Sequence, residues 1–257
     1  MSFPDYCPSC GNASLATSGV GTQKIEVLIK ELYPEAKVER IDSDILTRKN
    51  AHIELLNRFQ KGEIDILVGT QMIAKGFDFP KLSTLGIAQA DAGLSLPDYS
   101  SEERTFQLIT QVIGRAKRGH QNSHIFIQSY QPNHPLISFA TQSDYVSFYN
   151  YLLQKRKISS LPPYSFLLKI SLTYKTERGA ILGAQKLNKK ITQFIHQYQL
   201  SQVFVTPPTP AFHERTASGY TWQITLKAKT RKDLFAVFDS LDKTPYLHYD
   251  FDPITLL

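Results

Sequence analysis

The chain has 257 residues, 42% of them hydrophobic, with a formal net charge of +6. That length suits one large domain or two ordinary ones with a buried core. No apolar run is long enough to cross a bilayer, and the opening MSFPDYCPSCG lacks the basic and apolar regions of a signal peptide. A cytoplasmic protein that does not engage a membrane is expected.

The charge is unevenly placed. Residues 1–150 carry 14 Lys/Arg against 16 Asp/Glu, net −2, and residues 151–257 carry 15 against 7, net +8. A basic half points to an anionic partner, most simply nucleic acid, with a solubilising surface as the plainer reading.

The first chemical feature is Cys7 and Cys10 in CPSCG, the only two cysteines of the chain. A C-x-x-C turn followed by Gly11 is half of a zinc knuckle, and a structural site needs four ligands. Plain thiols and a redox pair are the other readings, the last disfavoured by Pro4 and Pro8 nearby. Residues 22–33 read as a helix with Thr22 as N-cap and an apolar stripe of Ile25, Leu28, Ile29 and Leu32, stopped by Pro34. Strands follow at KVERID (37–42), DILVGT (65–70), STLGIAQAD (83–91) and SHIFIQSY (123–130). Helices fall near 49–60, with Leu55, Leu56 and Phe59 on one side, and at 100–114, with Phe106, Ile109 and Ile113. Strands alternating with helices imply a parallel sheet covered on both faces. Ligands of such sheets gather at the carboxyl ends of the strands, where GTQMIAKGFDFP (69–80) and QVIGRAKRG (111–119) lie.

Residues 143–157 read as an amphipathic helix bearing Tyr145, Phe148, Tyr149, Leu152 and Leu153, an aromatic stripe that suits packing. Pro162 and Pro163 mark a boundary. Beyond it come a strand at 165–174 and a helix at 177–198 with Ala180, Ala184, Leu187, Ile191 and Phe194 inward. Strands at 202–206 and 219–229, a helix at 231–241 and a strand at 246–252 complete a β-α-β-β-α-β order, a split βαβ module.

Arg115 and Arg118, three residues apart behind Gln111 and Gly114, offer two planar donors that suit phosphate oxygens. An arginine reaching across a cleft can stabilise charge developing on a γ-phosphate. A surface pair with Glu102 or Glu103 is the alternative. Thr70, Gln71, Lys75, Gly76 and Asp78 join a strand to a loop whose hydroxyl, glycine and backbone N–H groups suit a nucleic-acid backbone.

Together these segments resemble motifs V and VI of the second RecA-like lobe of superfamily 2 helicases. CPSCG, GVGTQKIE, RIDSD, ILVGTQMIAKGFDFP, ERTFQLITQVIGRAKRG, LPPYS, GYTWQITLK and the closing DFDP, in that order, resemble the C-terminal part of the PriA-type replication-restart DNA helicases. The resemblance implies an α/β fold: a RecA-like parallel-sheet helicase lobe, then a smaller α+β split-βαβ module like the ribosomal protein S10. The expected divisions are a half zinc knuckle at 1–18, the lobe at 19–142, a linker helix and proline-rich boundary at 143–163, and a DNA-binding module at 164–257.

The same resemblance implies roles. Arg118 is the arginine finger and Arg115 a second γ-phosphate contact, with Gln111 and Gly114 shaping their segment. Gly76 and Asp78 couple the nucleotide to the DNA side, where Thr70, Gln71 and Lys75 lie. Cys7 and Cys10 are two of four zinc ligands. Arg215, Tyr220 and Trp222 are the module's candidates for phosphate contact or base stacking, although Tyr220 and Trp222 alternate in a strand and also read as core. The implied cofactors are ATP with Mg2+ and Zn2+. The implied partners are branched and single-stranded DNA, single-stranded-DNA-binding protein and primosome proteins, for a monomer.

Three departures stand out. The chain has no G-x-x-x-x-G-K-[ST] loop and no DEAH-like box, so the chain alone is expected neither to hydrolyse ATP nor to unwind DNA. SFPDYCPSCG resembles the middle of the family's zinc region, so the sequence is expected to be a fragment or an interrupted reading frame. Lys117 also stands where the family has glycine, which leaves the loop cationic and changes the backbone angles open to it. The alternative function is a non-enzymatic remnant that binds DNA or replication partners.

Overall fold

The computed structural model describes residues 21–41, 51–70, 82–119 and 123–257, without the side chains of 51–52 and 117–119. The chain divides into two compact units, one of residues 1–92 and 105–143, the other of 93–104 and 144–257. Cys7, Cys10, Gln71, Lys75, Gly76 and Asp78 lie outside the described residues.

Where one parallel sheet was expected, the described residues of the first unit form two separate two-stranded parallel sheets, each closed by a crossover. Strand β1 (Val38–Ile41) pairs in parallel with β2 (Ile66–Gly69), Val38 opposite Ile66. Parallel neighbours cannot be joined by a tight turn, and the crossover contains α2 (Ala51–Lys61). Ile41 and Leu56 are buried there, with Leu55, Phe59, Leu67 and Leu82 packed on them. Strand β3 (Thr84–Ile87) likewise pairs in parallel with β4 (His124–Ile127), Thr84 opposite His124. Their crossover carries α3 (Ser101–Gly119), whose Phe106, Ile109, Ile113 and Ala116 are buried.

The expected Phe106, Ile109 and Ile113 stripe is therefore the buried face of α3, but the helix does not stop at 114. It runs on to Gly119, because Ile113 and Ala116 keep the buried face continuous past Gly114 and outweigh that residue's poor helix propensity. The opening helix, α1 (Thr22–Leu32), departs in two ways. Its N-cap is Gly21, with Thr22 already inside the helix, and none of its residues is buried. Half of the expected stripe faces water, with Leu28 45% and Leu32 71% exposed. Helix α4 (Pro135–Gln142) had no periodic signature, since eight residues give barely two turns. Its signal is local: Pro135 begins the helix and His134 accepts a hydrogen bond from the Leu136 N–H.

The second unit is an antiparallel sheet backed by two helices. Strands β5 (Phe166–Tyr174), β6 (Val203–Val205), β8 (Gly219–Ala228) and β9 (Leu247–Phe251) lie in the order β6-β8-β5-β9. That is the split βαβ arrangement: α6 (Glu177–Gln197) joins β5 to β6 across the intervening β8, and α7 (Arg231–Asp239) joins β8 to β9 across β5. Leu168, Ile170, Ile224 and Leu226 pack with Ile191 of α6 and with Leu234 and Val237 of α7. Of the expected inward residues of α6, Ala180, Ala184 and Ile191 are fully buried, and Leu187 and Phe194 pack on the core partly exposed.

One strand was not expected. β7 (Thr209–Thr216) follows Pro207 and Pro208 and contains Pro210, a pattern that argues against a central strand. It pairs only with β8, with an irregularity between Pro210 and Arg215, and such a position tolerates proline. The β7–β8 turn requires Gly219. Its φ is +133°, and a Cβ there would stand 2.2 Å from the Tyr174 carbonyl oxygen.

Helix α5 (Tyr145–Ile158) also divides its expected stripe. Phe148 and Leu152 are buried, whereas Tyr145 and Tyr149 are exposed and stack on each other with centroids 6.1 Å apart.

The sheet face away from α6 and α7 is polar: Lys169, Gln223 and Lys227 alternate with the core residues. Residues 252–257 run over it. Asp252 accepts from the Leu167 N–H, Lys169 donates to the Leu257 backbone oxygen, and Gln223 donates to the Leu256 carbonyl.

Candidate nucleotide and nucleic-acid interfaces

Helix α3 turns 100° per residue, so Gln111, Gly114, Arg115 and Arg118 share one side. That side is opposite the buried Phe106, Ile109, Ile113 and Ala116. Gln111 and Gly114 are exposed and Arg115 is half-buried. Arg118 sits in the last turn. A Cβ on Gly114 would meet nothing within 4 Å among the described residues, so their packing does not require a glycine there.

The helix end sets the electrostatics. A helix C-terminus presents carbonyl oxygens and partial negative charge. Arg115, Lys117 and Arg118 follow one another in this part of the helix, and a helix C-terminus itself presents carbonyls to an anion, with no free N–H groups. Lys117 lies within the helix, where ordinary right-handed angles suffice. The opposite end is acidic, as the dipole favours, with Glu102 and Glu103 in the first turn. Glu102 accepts from Lys155 at 2.5 Å and Glu103 from Arg156 at 2.8 Å. Burial pulls the Lys155 ammonium down, but the Glu102 carboxylate outweighs it and holds the pKa above the usual lysine value.

Thr70 follows β2 directly and is exposed, at the carboxyl end of a parallel strand. Among the described residues no group of three or more His, Cys, Asp or Glu side chains is placed to hold a metal ion. No described helix is long and apolar enough to cross a membrane.

In the second unit, Arg215, Tyr220 and Trp222 lie together on the β7–β8 hairpin. Arg215 stands over the Tyr220 ring at 5.7 Å, and Trp222 Nε1 donates to Glu214 at 3.2 Å. Tyr220 is opposite Tyr174, and Trp222 opposite Leu172. Both rings are therefore on the helix-covered face, half-buried. The structure brings the three together, with the cation on one ring and the indole N–H taken by a carboxylate.

Two carboxylates matter that sequence patterns did not single out. Asp91, 5% exposed, accepts from the Tyr130 N–H at 3.1 Å beyond the ends of β3 and β4. Asp98 has a fully buried side chain. It accepts from Ser100 Oγ at 2.6 Å, Thr255 Oγ1 at 2.9 Å, Arg104 at 3.0 Å and the Leu256 N–H at 3.0 Å. Burial alone would raise its pKa. The Leu256, Ser100 and Thr255 hydrogen bonds and the Arg104 charge reverse that and hold it below the usual value. Tyr99 adds a bond to the Pro253 carbonyl, so segment 98–104 pins segment 253–256.

Comparison with known proteins matches residues 16–120 to the family described as helicase conserved C-terminal domain. The chain is 36% identical over 238 residues to the replication restart protein PriA of Bacillus subtilis, covering 93% of this chain and 29% of that protein. It is 35% identical to the Synechocystis protein of the same name, over 98% of this chain and 30% of the relative. For the Treponema pallidum protein, also named PriA, the identity is 37%, over 99% of this chain and 39% of the relative. The chain thus spans between 29% and 39% of the length of these relatives.

Proposed function

Since the chain belongs to the PriA-type replication restart proteins, as a C-terminal portion with the helicase C-terminal domain in its first half, we propose that it is part of an ATP-dependent 3′→5′ DNA helicase. That helicase would recognise stalled or branched forks and restart replication in the cytoplasm. The observation that carries this reading is α3: one parallel crossover helix buries one side and keeps Gln111, Gly114, Arg115 and Arg118 on the other.

In this reading Arg118 is the finger and Arg115 a second contact to the γ-phosphate of ATP. Gln111 and Gly114 shape their approach, and Gly76 and Asp78 link the nucleotide to the DNA that Thr70, Gln71 and Lys75 touch. This chain's residues fit only one side of a nucleotide site. They supply cations, while the phosphate-cradling loop and the magnesium carboxylate are missing from the sequence. ATP with Mg2+ would drive translocation once the remainder is supplied. Cys7 and Cys10 contribute two zinc ligands. The second unit, an S10-like module, binds DNA, and single-stranded-DNA-binding protein and primosome proteins are the wider partners.

Reconstitution tests the reading. The chain alone is expected to show no DNA-stimulated ATPase. Mixed with a separately expressed N-terminal portion of a PriA-type relative, it should recover that activity, and Arg118→Ala should reduce it at least about 1000-fold, the lower end of the range for a finger arginine. Activity that survives Arg118→Ala removes the finger assignment. A mixture that stays inactive but binds forked DNA favours the non-enzymatic remnant.

A further inference from the structure

The cations of the second unit differ in how they are engaged. Lys155, Arg156, Lys190 and Arg231 form ion pairs with carboxylates. Lys169, Lys227, Lys229 and Lys243 donate to backbone carbonyl oxygens. Lys175, Arg178, Lys186 and Lys189 have neither kind of partner among the described residues, and all four lie on α6 or the turn that leads into it. Lys157, Arg215 and Lys232 are scattered on other elements.

Lys186, Lys189 and Lys190 follow one another at helical spacing along one side of α6. They line a groove of about 350 Å3 whose other wall is the segment around Leu241–Leu247. Tyr174 and Tyr246 also line the groove, with their ring centroids 5.1 Å apart. Gly183 makes that possible, because a Cβ there would lie 2.7 Å from the Tyr174 ring. Tyr246 remains 44% exposed. Asp242 on the opposite wall takes Lys190 at 2.7 Å and feels the charge of Lys186 without bonding it, so neither Lys186 nor Lys189 has its ammonium held in a direct ion pair. The remaining walls are apolar, with Leu172 and Leu187.

We propose that this groove seats single-stranded DNA, with Lys186 and Lys189 holding backbone phosphates and Tyr246 offering its ring to a base. The assignment rests on the reading of the second unit as a DNA-binding module and gives it a site. Unpaired cations beside an accessible aromatic ring are the parts that single-strand binding uses. The Arg215, Tyr220 and Trp222 cluster has a single cation, which already lies over a ring. A purely acidic peptide would use the lysines as well, but has no flat group to lay on the exposed ring.

Fluorescence anisotropy of the full chain with a labelled oligothymidylate, across a salt series, tests the proposal. Lys186→Glu with Lys189→Glu should weaken binding about 10-fold or more and flatten the salt dependence by roughly 1.4, about 0.7 for each phosphate no longer neutralised. Lys157→Glu with Lys232→Glu changes the net charge equally and should stay within about twofold of the parent. Tyr246→Leu should cost about fivefold or more and Tyr246→Trp should restore binding, as a stacking role requires. If both lysine pairs weaken binding alike, or the α6 pair has no effect while the parent binds, the groove is wrong and the module reading survives. A parent chain that binds no oligonucleotide overturns both. Displacement of the oligonucleotide by polyglutamate at lower concentration than by competing DNA overturns the choice of ligand.

Discussion

Gly114 occupies a helical position where a methyl group would find open space. Inside a helix glycine costs about 0.5–1 kcal/mol relative to alanine, so Gly114→Ala should stabilise the chain by about that much in urea unfolding. The same substitution should lower the reconstituted ATPase if the space serves an approaching group, and leave it unchanged if it does not. Asp98 gives a prediction of opposite sign. Its native pKa is depressed, so its contribution is complete above the unfolded value, near pH 4, and is lost as the pH falls from there through the native pKa. Asp98→Asn should remove that acid-dependent loss, and at neutral pH it should cost about 2–4 kcal/mol through weakened bonds at a buried carboxylate. Amide exchange at Leu256 reports both effects. The contrast between the two residues explains what sequence could reveal. Arg115 and Arg118 stood out as a local pair three residues apart, although the helix that carries them was expected to end at residue 114. Asp98 in LPDYS reads as an ordinary turn, since two of its donors come from Thr255 and Leu256, more than 150 residues away.

Elements were legible where periodicity ran long. α6 and β5 follow from their apolar patterns, and so does the split βαβ order. β7 was not, because prolines argue against strands in general and only an outer position lifts the objection. The extension of α3 past Gly114 was hidden for a related reason: propensity favoured a break, and burial of Ile113 and Ala116 decided otherwise. The exposed rings of Tyr145 and Tyr149 show that an aromatic stripe can be wider than the surface it packs on. The β7–β8 turn offers a direct test at this scale. Gly219→Ala must relieve both a positive φ and a 2.2 Å approach to the Tyr174 oxygen, so it should destabilise the second unit by about 1–3 kcal/mol or more. A loss below about 0.5 kcal/mol in denaturant titration would contradict the geometry.

Across the whole molecule, stability is uneven. None of the residues of α1 is buried, and Val27, Leu28, Leu32 and Tyr33 are exposed apolar groups. α1 should therefore exchange its amide hydrogens fastest among the described helices, and α6, with three fully buried residues, among the slowest. Equal protection of the two would overturn that ranking. Composition made the basic half visible from the start, but the division of its cations between satisfied and open ones depends on tertiary neighbours that no composition encodes. The pinning of segment 253–256 by Asp98 also has a meaning in time. Leu256 follows Asp98 by 158 residues, and at about 5–20 residues per second the ribosome takes roughly 8–32 s to cover that distance. Through that interval the nascent chain carries a carboxylate that has Ser100 and Arg104 beside it but lacks its other two donors, Thr255 and Leu256. The polar side of the sheet thus stays open until residues 252–257 have emerged, and a ribosome stalled before Thr255 leaves Asp98 with Ser100 and Arg104 alone.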